Sequence, residues 1–264
     1  MKLQSNTGRD YGYRHIVGPG EAGLDDIGLD MLRLRPGQSR SAAADGRELA
    51  LVILGGKCDA RCGRYEWRGL GERENVFGGR ATCVYVPNGA EYAISAVSDV
   101  EIAVVYSPTA ERGFEPGLVT PAEVKARSVG GQGFSRSVED IIGREFPAAR
   151  LLVGETFNQP GQWSSYPPHK HDVHDPPEEA ALEEVYMFKI DPPQGFGVQR
   201  LYTADGSRDE AYVIHSDDVV ALPDGYHPVA AAPGYRLYYL WALAGQGREM
   251  APNDDPNHTW VKGG

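Results

Sequence analysis

With 264 residues, 41% of them hydrophobic, the chain can bury a real core in one large domain or two modest ones. A net charge of −11 argues against a nucleic-acid partner, because an acidic surface repels phosphate backbones. No stretch approaches the roughly 18 apolar residues of a membrane span, and the opening MKLQSNTGRDYGYRH lacks the apolar centre of a secretory signal, so no membrane partner and a cytoplasmic protein are expected.

Thirty-three glycines and 19 prolines suit an all-β chain with many tight turns. Strands are predicted over 31–37, 48–56, 81–89 and 100–108, where short runs rich in β-branched residues end at Gly or Pro. Cys58, Cys62 and Cys83 fall among them, and an odd count predicts reduced thiols rather than a disulfide framework. The stretch 109–149 is polar and Gly-rich. A short helix is predicted over 137–146, because Val138, Ile141 and Ile142 recur at helical spacing. A second set of strands follows over 150–157, 183–190, 196–203, 210–216, 218–225 and 235–245. VYVPNGAEYAI (84–94) and VALPDGYHPVA (220–230) read as one element used twice. Two β-barrels arisen by duplication are therefore expected, residues 1–125 and 126–264.

Chemistry concentrates in the second set. In SSYPPHKHD, His169 and His171 stand two apart, so on a strand both imidazoles point to one face. Glu184 opens a later strand on which alternation groups it with Tyr186 and Phe188 and sends Glu183 to the other face. His227 follows the tight Pro223-Asp224-Gly225 turn. Three imidazoles and a carboxylate suit one divalent ion, Zn²⁺, Mn²⁺, Fe²⁺ or Ni²⁺, with positions left for water or substrate oxygens. The matching turn of the first half, Pro87 to Glu91, has no histidine and no preceding His-x-His, so a single metal site is expected. His174 is expected to be solvent-exposed. His15, His215 and His258 are read as structural and partnerless, and Tyr238 and Trp241 as core.

These pieces, in this order, resemble the double motif of cupin barrels, which are jelly rolls or double-stranded β-helices. More narrowly, WSSYPPHKHD, LEEVY and LPDGYHPV, with VYVPNG in the first half, resemble the 5-deoxy-glucuronate isomerases, a bicupin family of bacterial myo-inositol catabolism. The related pectin-pathway isomerases share the barrel pair, but their Glu follows the second His after a shorter gap. Here twelve residues, 172–183, intervene. The resemblance implies an aldose–ketose isomerase that converts 5-deoxy-D-glucuronate to 5-dehydro-2-deoxy-D-gluconate through a metal-stabilised enediolate. No redox step is needed, which favours zinc. Candidate bases are Tyr186 and Glu155, both taken as inward-facing, and Lys170 beside the ligands. The substrate carboxylate calls for a cation, for which Arg200 and Arg208 are the candidates. A homo-oligomer, most simply a dimer, is expected, with the first barrel serving stability and an interface. The alternatives are an iron-dependent cupin dioxygenase and a non-enzymatic sugar-binding bicupin.

Overall fold

The computed structural model describes residues 10–263 and the backbone of 2–3. Residues 1 and 4–9 of the opening segment read above for a secretory signal lie outside the described residues. In chain order the strands are β1 (Lys2–Leu3), β2 (Gly12–Val17), β3 (Gly28–Leu34), β4 (Ser39–Ala43), β5 (Arg47–Gly55), β6 (Cys58–Cys62), β7 (Tyr65–Leu70), β8 (Thr82–Val86), β9 (Glu91–Ala96), β10 (Val100–Pro108) and β11 (Gly117–Val119). They continue as β12 (Lys125–Val129), β13 (Arg136–Ile142), β14 (Leu152–Asn158), β15 (Trp163–Ser164), β16 (His169–Lys170), β17 (Leu182–Asp191), β18 (Gly197–Tyr202), β19 (Asp209–Ile214), β20 (Val219–Leu222), β21 (Val229–Ala231), β22 (Arg236–Gly245) and β23 (Asn253–Asp254). The only helical pieces among the described residues are two 3-10 turns, Val76–Gly78 and Thr259–Gly263. None is long and apolar enough to cross a membrane.

The sheet orders repeat. One large sheet runs β11-β8-β5-β10-β3-β2 and the other β1-β20-β17-β22-β14-β13-β12, with corresponding strands in corresponding places. The small sheets, β4-β9-β6-β7 and β15-β21-β18-β19, match in the same way. The segments that look alike in sequence, 84–94 and 220–230, occupy equivalent positions. Their turn glycines, Gly89 and Gly225, share φ 83°, a left-handed conformation that glycine adopts without Cβ strain. β1 pairs with β20, so the N-terminal residues reach across to the sheet of the second half.

Alternation along the strands distributes the core. In the first half Leu32, Leu49, Leu51 and Ile102 of the large sheet meet Cys58, Ile94 and Ala96 of the small one. In the second, Leu182, Tyr186, Phe188 and Tyr239 meet Leu201, Ile214 and Val229. The opposite faces of both large sheets pack on each other through residues such as Val52, Ala103, Val105, Val153, Val185 and Leu240. The large sheets are thus covered on both faces, which explains why their strands read as near-continuous apolar runs. The cysteines are free and buried, and burial pushes the Cys58 thiol up to about 12, which keeps it protonated and inert.

The helix expected over 137–146 is instead β13, paired with β12 and β14. Its register against β14 shifts between Asp140 and Ile142. That irregularity resets the alternation, so Ile141 and Ile142 both enter the core between the large sheets while Val138 faces the second-half core. A strand with one bulge has reproduced the i, i+3, i+4 spacing of a helix.

Candidate metal centre

β17 carries Leu182, Glu184, Tyr186 and Phe188 into the interior of the second half. Glu183 faces the other way, where its carboxylate accepts the backbone N–H of Asp25 and Asp26 at 2.7–2.9 Å. His171 lies beside the start of β17, and His227 follows the turn after β20. Ligand atoms of His171, Glu184 and His227 lie within 4.8 Å of one another, and all three residues are buried. His169, on β16, brings its ring to 5.0 Å from that of His227 and 6.4 Å from that of His171.

The second nitrogen of each buried imidazole defines what the cluster can do. His171 Nδ1 donates to Leu182 O at 2.6 Å, and His227 Nδ1 donates to Gly225 O at 2.9 Å. A carbonyl can only accept, so in each neutral ring Nε2 carries the lone pair. Both Nε2 atoms face Glu184 Oε2, at 3.2 and 3.3 Å. Two lone pairs directed at a carboxylate oxygen repel unless a proton or a cation stands among them. His227 Nε2 is buried and makes no hydrogen bond. This donor set fits a divalent ion. Burial opposes charge on Glu184, but the adjacent imidazoles of His171 and His227 outweigh it and hold the carboxyl at about 2. Burial, then the charges of His227 and His171, push His169 well below its ordinary value, which favours the neutral, ligating form.

The segment between His171 and Glu184 is a closed excursion. Leu182 N donates to His171 O at 2.8 Å, so the loop leaves and returns at one point. Inside it, Glu179 is buried and accepts Lys170 Nζ and the backbone N–H of Asp172 and Val173 at 2.8–3.0 Å. Asp172 accepts Lys170 Nζ at 2.5 Å and Gly225 N at 2.8 Å. A continuous chain of contacts therefore joins Lys170, between His169 and His171, to the turn that orients His227.

Other candidates fall elsewhere. Glu155 does not face the interior. On β14 it shares a face with Val153 and Phe157, towards the first half, where it accepts Arg73 at 2.5 and 2.9 Å and Tyr238 Oη at 2.7 Å. Lys170 is held by Asp172 and Glu179 on the side away from the imidazoles. Arg208 is tied to Asp224 and borders a separate cavity. Tyr186 does lie in the interior, its ring 5.9 Å from that of His227 and its hydroxyl 3.0 Å from Ser165 Oγ. Tyr238 and Trp241 are core. His15, read as partnerless, bonds Asp30 at 2.7 Å and Glu21 at 2.8 Å, and His215 stands 3.8 Å from Asp218.

His169 opens onto a cleft of about 1000 Å³. Phe134, Trp163, Tyr166 and Trp260 line it, together with Arg136, Arg200, His258 and Lys262. Reading from sequence missed the part of Arg136 and His258 in this wall. The first lay in the polar, Gly-rich stretch 109–149, one residue before the segment taken as a helix. The second reaches the cleft because β23 pairs with β16 and draws the C-terminal segment over it.

Fold and site together define a cupin-type all-β protein with a buried His/Glu/His cluster able to hold a metal. The sequence matches the KduI/IolB family over residues 2–261, and the chain belongs to that family. It is 40% identical to the 5-deoxy-glucuronate isomerase of Geobacillus thermodenitrificans, over 98% of this chain and 94% of that one. The Bacillus subtilis (strain 168) protein of the same name is 37% identical over 94% and 92% of the two chains. The crystal structure of an IolB-like protein from Salmonella typhimurium superimposes with TM-score 0.93 at 34% identity, covering 99% and 98%. The Lactobacillus farciminis oxalate decarboxylase shares the fold alone, with TM-score 0.62 at 13% identity over 93% and 84%.

Proposed function

We propose that this chain is a 5-deoxy-glucuronate isomerase, converting that aldose to 5-dehydro-2-deoxy-D-gluconate at the His/Glu cluster of its second half. The carrying observation is the coincidence of a whole-length match to isomerases of that name with a buried ligand cluster whose neighbour His169 lines an adjoining cleft. The interconversion moves one proton from the carbon beside the aldehyde to the aldehyde carbon, and one from the hydroxyl to the former aldehyde oxygen. No oxidant enters, so the dioxygenase alternative is not needed.

His169, His171, Glu184 and His227 would hold one divalent ion, with zinc proposed because no electron transfer is required. When bound it would supply Lewis-acid polarisation of a carbonyl oxygen. Burial, then the charge of Glu184, pushes the Tyr186 phenol well above its ordinary value. Tyr186 therefore holds its proton and serves as a donor to a substrate oxygen rather than as a base towards carbon.

Two barrels divided near residue 125 are part of the same reading, supported by β11 closing one large sheet and β12 opening the other. A homodimer is proposed, in which pairing would cover open sheet edges, and a cytoplasmic location goes with a role in sugar-acid metabolism. Incubation with 5-deoxy-glucuronate, followed by NMR, is expected to give the ketose. Treatment with a strong chelator is expected to abolish turnover, and added zinc to restore it. Absence of ketose, or activity that survives complete metal removal, would overturn the reading.

A further inference from the structure

The cleft above His169 is bordered by three residues with permanently cationic side chains among those described, Arg136, Arg200 and Lys262. Two are neutralised. Arg200 is gripped at both Nε and Nη2 by Asp209, each contact 2.8 Å, and lies over the Tyr202 ring. Lys262 pairs with Asp254. Arg136 differs. Its hydrogen bonds leave from Nη1 and go to two main-chain carbonyls, Phe134 O and Tyr166 O, both at 3.2 Å. Among the described residues no carboxylate pairs with it. Nε and Nη2, one edge of the guanidinium fork, carry no hydrogen bond to a described residue.

Its position is equally specific. On β13, Arg136 shares a strand face with Val138, which packs in the core of the second half, and it lines the same cleft as His169. The carbonyls that hold Nη1 belong to two aromatic residues of the cleft wall, whose rings stand 5.7 Å apart. The guanidinium is therefore fixed before any ligand arrives, which lowers the ordering cost of binding. A half-buried, preoriented guanidinium without a counterion is what a planar carboxylate requires.

We infer that Arg136 receives the carboxylate of the sugar acid, while the aldehyde end lies towards His169. The inference rests on the isomerase reading and sharpens it: it makes Arg136 the residue that selects a uronate over a neutral aldose. The test compares 5-deoxy-glucuronate with the neutral aldose in which a hydroxymethyl group replaces the carboxylate, in wild type, R136M and R136K with matched metal content. R136M is expected to lower kcat/KM for the acid about tenfold to hundredfold, mainly through KM, because a charge-assisted pair is lost. Turnover of the neutral aldose should stay within about twofold, and R136K should recover part of the acid activity. Equal losses on both substrates would overturn the inference, as would a wild type that does not prefer the acid. Should R136M not fold, a R136K variant with unaltered preference for the acid and unaltered KM overturns it equally. A wild type that isomerises neither compound defeats the isomerase reading instead. Calorimetric titration with D-gluconate and with sorbitol then decides on Arg136. Gluconate binding that is lost in R136M supports its role, whereas binding that persists in R136M, or is absent from wild type, overturns it.

Discussion

Gly225 does two things at once for the metal centre. Its carbonyl accepts the Nδ1 proton of His227, and its positive φ forms the turn that delivers that ring. A Cβ added there would lie 2.7 Å from Tyr202 O, a backbone atom that cannot swing aside. G225A is therefore expected to destabilise the protein by about 1–3 kcal/mol and to weaken metal binding, read by denaturant titration and chelator competition. At the equivalent Gly89 a Cβ would meet Arg112 Nη1 at 2.6 Å, the far end of a flexible side chain. G89A should cost less and leave metal affinity intact. Equal effects of the two substitutions on metal affinity would remove the special role of Gly225. At this scale the two-residue spacing of His169 and His171 was the legible signal, although β16 ends at Lys170 and His171 lies just past it. Arg136 carried no such signal, because its significance lies in lacking a counterion, and which arginines find one is decided by strand pairing.

The loop over 172–181 is the element that separates this site from a shorter cupin motif. Its ends meet at His171 and Leu182, so its length leaves the register of Glu184 untouched. Asp172 and Glu179 turn it into a clamp between the His169–Lys170 strand and the His227 turn. Removing such outer support typically costs tenfold to hundredfold in metal affinity. D172A should raise the metal dissociation constant by about that factor, with D172N recovering part because its amide oxygen can still accept Gly225 N–H. Chelator competition gives the constant, and a Co²⁺ absorption spectrum reports whether ligand geometry has moved. Unchanged affinity and spectrum in D172A would reduce the loop to a spacer. The failed helix at 137–146 belongs to this scale too. Local periodicity carries no information about bulges, because a bulge exists only relative to the partner strand.

Between the halves lie two kinds of contact. One is apolar, the packed faces of the large sheets. The other is ionic. Arg73 of the first half and Glu155 of the second are both essentially inaccessible and bidentately paired, and Glu101 meets Lys189 across the halves at 2.8 Å and Arg33 within its own half at 2.5 Å. Burial would raise the Glu101 carboxyl, but the charges of Lys189 and Arg33 outweigh burial and lower it from 4.5. A carboxyl lowered by folding contributes stability that is complete above its unfolded value and disappears as pH falls through its lower folded value. E101Q should therefore be less stable than wild type at pH 7, by about 1 kcal/mol. The difference should close as pH falls through and below the ordinary glutamate range. Thermal melts across that range test it, and a difference independent of pH would mean that Glu101 acts through packing alone.

Strand content, the repeated half and the His171, Glu184 and His227 cluster were legible in residue order, because each rests on local rules: apolar period, turn chemistry and donor type at fixed spacing. Tertiary structure alone decided the rest. It turned Glu155 away from the site and bound Lys170, Arg200 and Arg208 to carboxylates. It also brought the C-terminal segment over the cleft and left Arg136 without a carboxylate counterion among the described residues. Those outcomes depend on which distant segment lies opposite a residue, and charge neutralisation, unlike strand alternation, is a property of the neighbour as much as of the residue.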